Sequence, residues 1–409
     1  MTTTHPQTIR PGFGVPDLPT TGPDRSAFLR PLCGAERGYN TLGGALVTKT
    51  ADGIPLSRIW EEQQATVALF NEQRSRIASL LSFPTTVSAE PVAQTLESES
   101  FERASEFGEP TGIATAAKPL LVGFDLDDWD RSTRFTWKAL RAYTSQQVQG
   151  IFNLALAADN KLVNGTILDR LFDPRERVND EGNRVFGLWN GADGLGPLPY
   201  LGRAFPTTTN HYLASGAPVI DSGDIEDLID MVSVKGYRTG NGTQLLILAN
   251  PAESRRIQGF QRDIPSRAPF GSETTGPLPL HSFIPSATAP AYLTDQTVIG
   301  QVAPGEYGGL PVLGSYGPAW LIESEFIPAG YVTVVATGGP GSSQNPIGLR
   351  EFPAPEYRGL RQIPGRDTRY PLVESYFARS FGTGVRYRSA AACLQVTTGS
   401  TYTPPVIPK

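Results

Sequence analysis

The sequence predicts an α+β fold hung on one long helix, and three observations carry that prediction. The first is a sustained helical stretch from Thr144 to Asp173. The second is the order helix, turn, strand, helix over residues 221–254, which marks an α+β or α/β layer. The third is a set of apolar runs of strand length at 244–250, 319–323 and 331–336. With 409 residues the chain has room for two or three domains and an ample core.

Taken in order, residues 1 to about 53 are rich in Thr, Pro and Gly and show no sustained periodicity. Five basic residues (Arg10, Arg25, Arg30, Arg37, Lys49) face four acidic ones (Asp17, Asp24, Glu36, Asp52). Such a segment is an extended arm ordered by packing on something else, or a disordered tail. From Ser57 to Leu81 the residues Trp60, Val67, Phe70, Ile77 and Leu81 fall at spacings of three, four or seven, which predicts a first helix. Phe83-Pro84 closes it.

Two strands are expected at Val87–Val92 and from Leu120 to Leu126. Between them the chain is polar and acidic. Over 88–119, Glu90, Glu97, Glu99, Glu102, Glu106 and Glu109 stand against only Arg103 and Lys118. A hairpin of this length would project roughly 50 Å at ~3.3 Å per residue. Two strands alone are marginal in water, so it either lies on a neighbouring subunit or is a mobile loop with a solvated acidic face.

Thr144 with Gln147 is a capping-box start, and Asp173-Pro174 is a stop. Val148, Ile151, Phe152, Ala155, Ala158, Leu162, Ile167 and Leu171 give the apolar face. The weakest point is Asn164-Gly165, the place where a break would fall. Unbroken, the helix would run about 45 Å at ~1.5 Å per residue. A short strand is expected at Val185–Trp189, then a Gly/Pro loop to Tyr200. A helix from Asp221 to Gly236 follows, with Ile225, Leu228, Ile229 and Val232 on one face. Gln244–Asn250 reads as a buried strand, and Pro251 opens another helix. Residues 262–295 read as loop, and strands follow at 311–315, 319–323 and 331–336. From Leu349 onward the chain is basic, with nine Arg or Lys against four Asp or Glu, and Tyr387–Val396 reads as a final strand.

Composition excludes several functions. The formal net charge is −5, unlike chains built to neutralise phosphates. Two cysteines, Cys33 and Cys393, make no disulfide framework and point to a reducing compartment. Neither a signal peptide nor an 18-residue apolar run is seen, so no membrane association is expected. His5, His211 and His281 are scattered, and His211 is expected to be a hydrogen-bonder rather than a metal ligand. There is no Walker phosphate loop and no nucleophile elbow. The acidic run Asp125–Asp130 is either a cation site or a solvated approach to a helix. No catalytic residue, metal or cofactor is expected. A soluble enzyme with a carboxylate site that no motif marks is the least favoured reading.

The residues Ser215–Leu228, Gly236-Tyr237, Gln244–Glu253, Asn345–Glu351, Ser380–Ala391 and Ala157–Leu162 resemble the major capsid proteins of tailed bacteriophages. The resemblance is closest to those of phages infecting mycobacteria and related actinobacteria, and it spans roughly 55–400. It implies the Hong-Kong-97 fold. On that pattern 1–54 is the N-terminal arm and 55–85 an N-terminal helix region. Residues 86–124 form the extended loop, 125–190 a peripheral domain with spine helix 144–173, 191–348 an axial domain, and 349–409 a return to the peripheral domain. The resemblance implies no enzyme, but a shell of hexamers and pentamers enclosing double-stranded DNA without specific binding. Scaffolding, portal and decoration proteins are the implied partners, with synthesis in the host bacterial cytoplasm and residence in the virion. An encapsulin-like compartment is the alternative. Acidic Glu97, Glu99, Glu102, Glu106 and Glu109 are expected to meet Arg350, Arg358, Arg361, Arg366 and Arg369 of a neighbour. A Lys118–Asn345 cross-link, as in some relatives, is a further expectation.

Overall fold

The structure is a computed structural model, and it describes residues 47–72, 75–92, 108, 120–239, 241–286, 302–365 and 372–409. The arm up to residue 46, the outer hairpin with Glu97, Glu99, Glu102, Glu106, Glu109 and Lys118, and Arg366 and Arg369 lie outside the described residues. Everything below belongs to the compact unit Thr48–Lys409.

The first helix is two. Helix α1 (Leu56–Glu72) and helix α2 (Arg76–Leu81) are separated at Ser75, whose backbone is non-helical. The Ser75 hydroxyl is instead bonded to the Asn164 side chain at 2.5 Å. Strand β1 (Ser82–Thr85) follows at once, and β2 (Ala89–Val92) pairs antiparallel with β3 (Leu120–Gly123) at the base of the hairpin. The acidic run then forms β4 (Asp127–Arg134), a strand rather than a helix approach. Its residues are mostly exposed, and charge on an outer strand discourages pairing with a stranger. A short α3 (Trp137–Ala142), capped by Thr136, leads to the long helix.

Helix α4 (Ser145–Phe172) starts at the expected capping box. The Gln147 amide N–H donates to the Thr144 hydroxyl, and the Gln147 side-chain oxygen accepts from Thr144 N–H at 2.9 Å. It runs unbroken through Asn164-Gly165, because both residues are buried against other parts of the chain. The strand expected at 185–189 shrinks to β6 (Arg184–Val185), paired with β5 (Arg177–Val178). Beyond β7 (Tyr212–Ala214) comes α5 (Ser222–Ser233), where Asp221 and Asp224 complete a second capping box. Next are β8 (Gln244–Ala249) and α6 (Pro251–Ile257), the latter capped by Asn250. Strands β9 (Ile284–Pro285), β10 (Glu306–Tyr307), β11 (Leu310–Pro311), β12 (Gly314–Tyr316), β13 (Ala319–Glu323) and β14 (Tyr331–Thr337) follow. The basic region holds β15 (Ile347–Glu351), β16 (Arg361–Pro364), β17 (Glu374–Val385) and β18 (Ala391–Gln395).

Among the described residues, two larger sheets form. The seven-stranded one runs β7-β18-β14-β8-β13-β12-β9. Strand β8 is parallel to β13 and antiparallel to β14, and it is buried on both faces. That explains its unbroken apolar run. Leu246 and Leu248 face a core shared with the end of α4, whereas Leu245, Ile247 and Ala249 face α5 and α6. In the five-stranded sheet β17 is central. Strand β4 lies along one of its edges, with β15 and then β16 along the other, and β1 adds in parallel outside β15.

Helix α4 joins the two sheets. Its first half, through Phe152 and Ala155, packs with Val67, Leu360 and Phe377 beside the smaller sheet. Its last turns bury Ile167, Leu168, Leu171 and Phe172 against the larger one. Each such side chain contributes about 1.5–3 kcal/mol. Residues 349–409, expected as one return to the helix's own domain, contribute strands to both sheets. Strands β15 to β17 do lie in the smaller sheet, but β18 crosses into the larger one between β7 and β14. Its alternating Ala391, Ala392, Cys393 and Leu394 fit a strand covered on both faces.

Candidate functional site

No group of three or more His, Cys, Asp or Glu side chains among the described residues is placed to hold a metal ion. No described helix is long and apolar enough to cross a membrane. His211 is buried and its Nδ1–H donates to the Ala391 carbonyl at 2.6 Å. Burial, with Lys235 nearby, holds its pKa down at about 3, so the ring is neutral. His281 packs edge-on against Tyr316. What remains is a set of surfaces and the ionic clusters that hold them.

A groove of about 1270 Å³ lies between α1, α2, α4, β1 and β15. Phe70, Asn71 and Arg76 line one side, and Asp159, Arg358 and Arg379 another. Arg379 of β17 reaches Asp159 of α4 at 2.6 Å and lies 3.9 Å from Glu351 of β15. Burial pushes the Asp159 carboxyl up while Arg379 opposes the shift. This cluster ties the helix to the smaller sheet, and composition alone did not reveal it. A signal existed: Asp159 falls four residues after Ala155, on the apolar face itself. The expected face took Ala158 and Leu162 instead, one step round the helix.

A second cluster closes the other end of α4. Asp173 pairs with Arg175 and Arg177, each at 2.9 Å, and Asp169 pairs with Arg177 at 2.9 Å and Lys409 at 2.8 Å. Burial works against the charged Asp173, but hydrogen bonds from Arg175 and Arg177 prevail and hold its pKa at about 2. Arg170, fully buried, donates to the carbonyls of Asp173 (2.6 Å) and Arg175 (2.7 Å).

The expected contact residues fare differently. Arg350 is buried and bonds the Phe124 carbonyl and Glu181 of its own chain, so it is an internal anchor of the hairpin base. Arg358 is exposed at the groove, its guanidinium bonding the Phe352 and Pro353 carbonyls. Arg361 lies over the Tyr357 ring at 5.2 Å. Asn345 is wholly buried. Its oxygen accepts from Thr337 and Gly338, and its nitrogen donates to the carbonyls of Ser79, Ser82 and Gly339. Occupied on both sides, it pins α2 and β1 to β15's approach.

Among solved structures, one from Mycobacterium phage Patience is 36% identical, covering 91% of this chain and 97% of that one with a TM-score of 0.67. Fainter likenesses include the holo-SrpI encapsulin complex from Synechococcus elongatus (14% identity, 84% and 98% covered, TM-score 0.40). The capsid of Cyanophage P-SCSP1u is another (12% identity, 80% and 90% covered, TM-score 0.41). No family model and no curated protein sequence matches the chain.

Proposed function

This chain belongs to the major capsid proteins of tailed bacteriophages, with the Hong-Kong-97 fold and a mycobacteriophage relative, and from that premise we propose how it builds its shell. Copies assemble as hexamers and pentamers into an icosahedral head that confines double-stranded DNA without reading it. The protein is made in the host cytoplasm and ends in the virion, with scaffolding, portal and decoration proteins as partners. The observation that carries this is the 36% identity to the mycobacteriophage chain across 91% of this one.

The domain roles follow the sheets. The smaller sheet with α1 and α4 serves as the peripheral domain, and the larger sheet with α5 and α6 as the axial domain. The groove between α1, α4 and β15 suits an extended segment of a neighbouring copy. The acidic stretch Glu97–Glu109 is the natural occupant, since Arg76 and Arg358 flank the groove. Such exposed pairs set register and add little stability, roughly 0–1 kcal/mol each.

Expression of the full chain, followed by sedimentation and negative-stain imaging, tests the reading. Closed shells of megadalton mass are expected. A protein that stays monomeric under every assembly condition overturns it, and shells filled with protein cargo would move the assignment to a compartment.

A further inference from the structure

We propose that the cavity at the base of the β2–β3 hairpin binds one small oxyanion, a carboxylate or a phosphate group. The cavity has a volume of about 90 Å³ and lies between the hairpin base, the segment that crosses from β17 to β18, and the residues just past α5. One water needs at least about 10–15 Å³ of such space, so the cavity has room for a small polyatomic group.

Its chemistry has one sign. Among the described residues, the lining carries Lys235, Arg386 and Arg388 and no carboxylate. Arg388 is 4% exposed. Its Nε donates to the Gly187 carbonyl, and its Nη2 is taken by the Leu188 carbonyl and Asp193. Buried Nη1 has no hydrogen-bond partner among the described residues, and neither has Nε of Arg386, whose Nη2 meets Glu90 at 2.6 Å. Glu90 and Asp193 therefore offset two of the three cations, and no carboxylate among the described residues pairs with Lys235, whose Nζ lies 5.1 Å from the Phe205 ring. A buried donor without a partner costs about 1–3 kcal/mol, and more on a charged group. An oxyanion here would satisfy both the donors and the charge.

The walls fit the same ligand. Trp189 lies against the Arg388 guanidinium at 4.0 Å and donates its indole N–H to the Ser389 hydroxyl at 2.7 Å. Having accepted there, that hydroxyl can donate to an anion. Lys235 donates to the Met231 carbonyl at 2.7 Å, which engages one of its three hydrogens. Burial and the nearby Arg203 hold the Lys235 pKa down at about 8, and an anion would raise it. Glu90 of β2 and the larger sheet's crossing segment meet at this point, so occupancy would fasten the hairpin to the sheet. The site does not depend on shell formation.

The test is a titration of the full chain in chloride buffer, with inorganic phosphate in one arm and sodium acetate in the other. Tryptophan fluorescence and Tm are read. A saturable response to phosphate alone assigns a phosphate group, and one to acetate alone or to both assigns a carboxylate. Lys235→Met and Arg386→Met are each expected to weaken the apparent affinity at least tenfold. Arg388→Met is avoided because it strands Asp193. No saturable response in either arm overturns the proposal, as does unchanged affinity in both variants.

Discussion

Gly165 of the long helix lies directly beneath the carbonyl of Pro408: a Cβ at Gly165 would stand 2.5 Å from that oxygen and 3.4 Å from the Lys409 Cα. The C-terminal segment is held there by Tyr402 donating to the Phe172 carbonyl (2.9 Å) and by Lys409 on Asp169 (2.8 Å). Helix propensity alone would favour alanine at position 165 by about 1 kcal/mol. The packing reverses that. Gly165→Ala is expected to lower stability by about 1–3 kcal/mol through overpacking, read by urea denaturation. In a chain lacking residues 404–409 the same substitution should stabilise instead.

The Arg379–Asp159 pair makes a sharper demand. Arg379→Met leaves Asp159 buried without its cation and removes the neighbour of Glu351, so a loss of about 3–5 kcal/mol is expected. Combining it with Asp159→Leu should recover much of that loss. A double-mutant cycle measures both, and strictly additive losses would show that the pair is not coupled.

Stability should carry the signature of Asp224 in its pH dependence. Burial, then the neighbouring Asp221, raises its carboxyl from 3.8 to about 7. A raised folded pKa gives a contribution fully present below 3.8 and lost as pH rises through 7. His211 acts oppositely: its contribution is present above 6.5 and lost as pH falls toward about 3. The difference between wild type and Asp224→Asn isolates the first effect. The wild type should lose Tm relative to the variant between pH 4 and 8, and a constant difference would refute the assignment.

A proline at Leu156 falls in the part of α4 that faces the smaller sheet. It should cost about 3 kcal/mol or more and abolish shells in negative stain. Normal shells from Leu156→Pro would tell against α4 as the link between the two sheets.

What the sequence disclosed and what it hid divide by range. The starts of α4 and α5 were legible because caps are local: Thr144 with Gln147, and Asp221 with its first turn. Strand β17 was not, although it is the centre of its sheet. Its Gly382 and Gly384 weaken any strand signal. They are there because the backbone passes closely overhead, where Cβ atoms would meet the carbonyls of Asp125 and Gly123 at 2.1 and 2.4 Å. Strand β4 was hidden by its acidic residues, which belong on an outer strand. Among the candidate site residues, Arg350 and Asn345 looked like free surface groups. Their partners, Glu181 and Ser79, are 169 and 266 residues away, beyond any local signal.

The placement of β18 has a kinetic meaning. It enters between β7 and β14, so an inner strand of the larger sheet is supplied by residues translated after all the others in that sheet. Until residue 395 is available, β14 presents an open backbone edge, and the long-range pairing that closes it is intrinsically slow. A nascent or truncated chain stopping short of residue 391 therefore cannot complete this sheet.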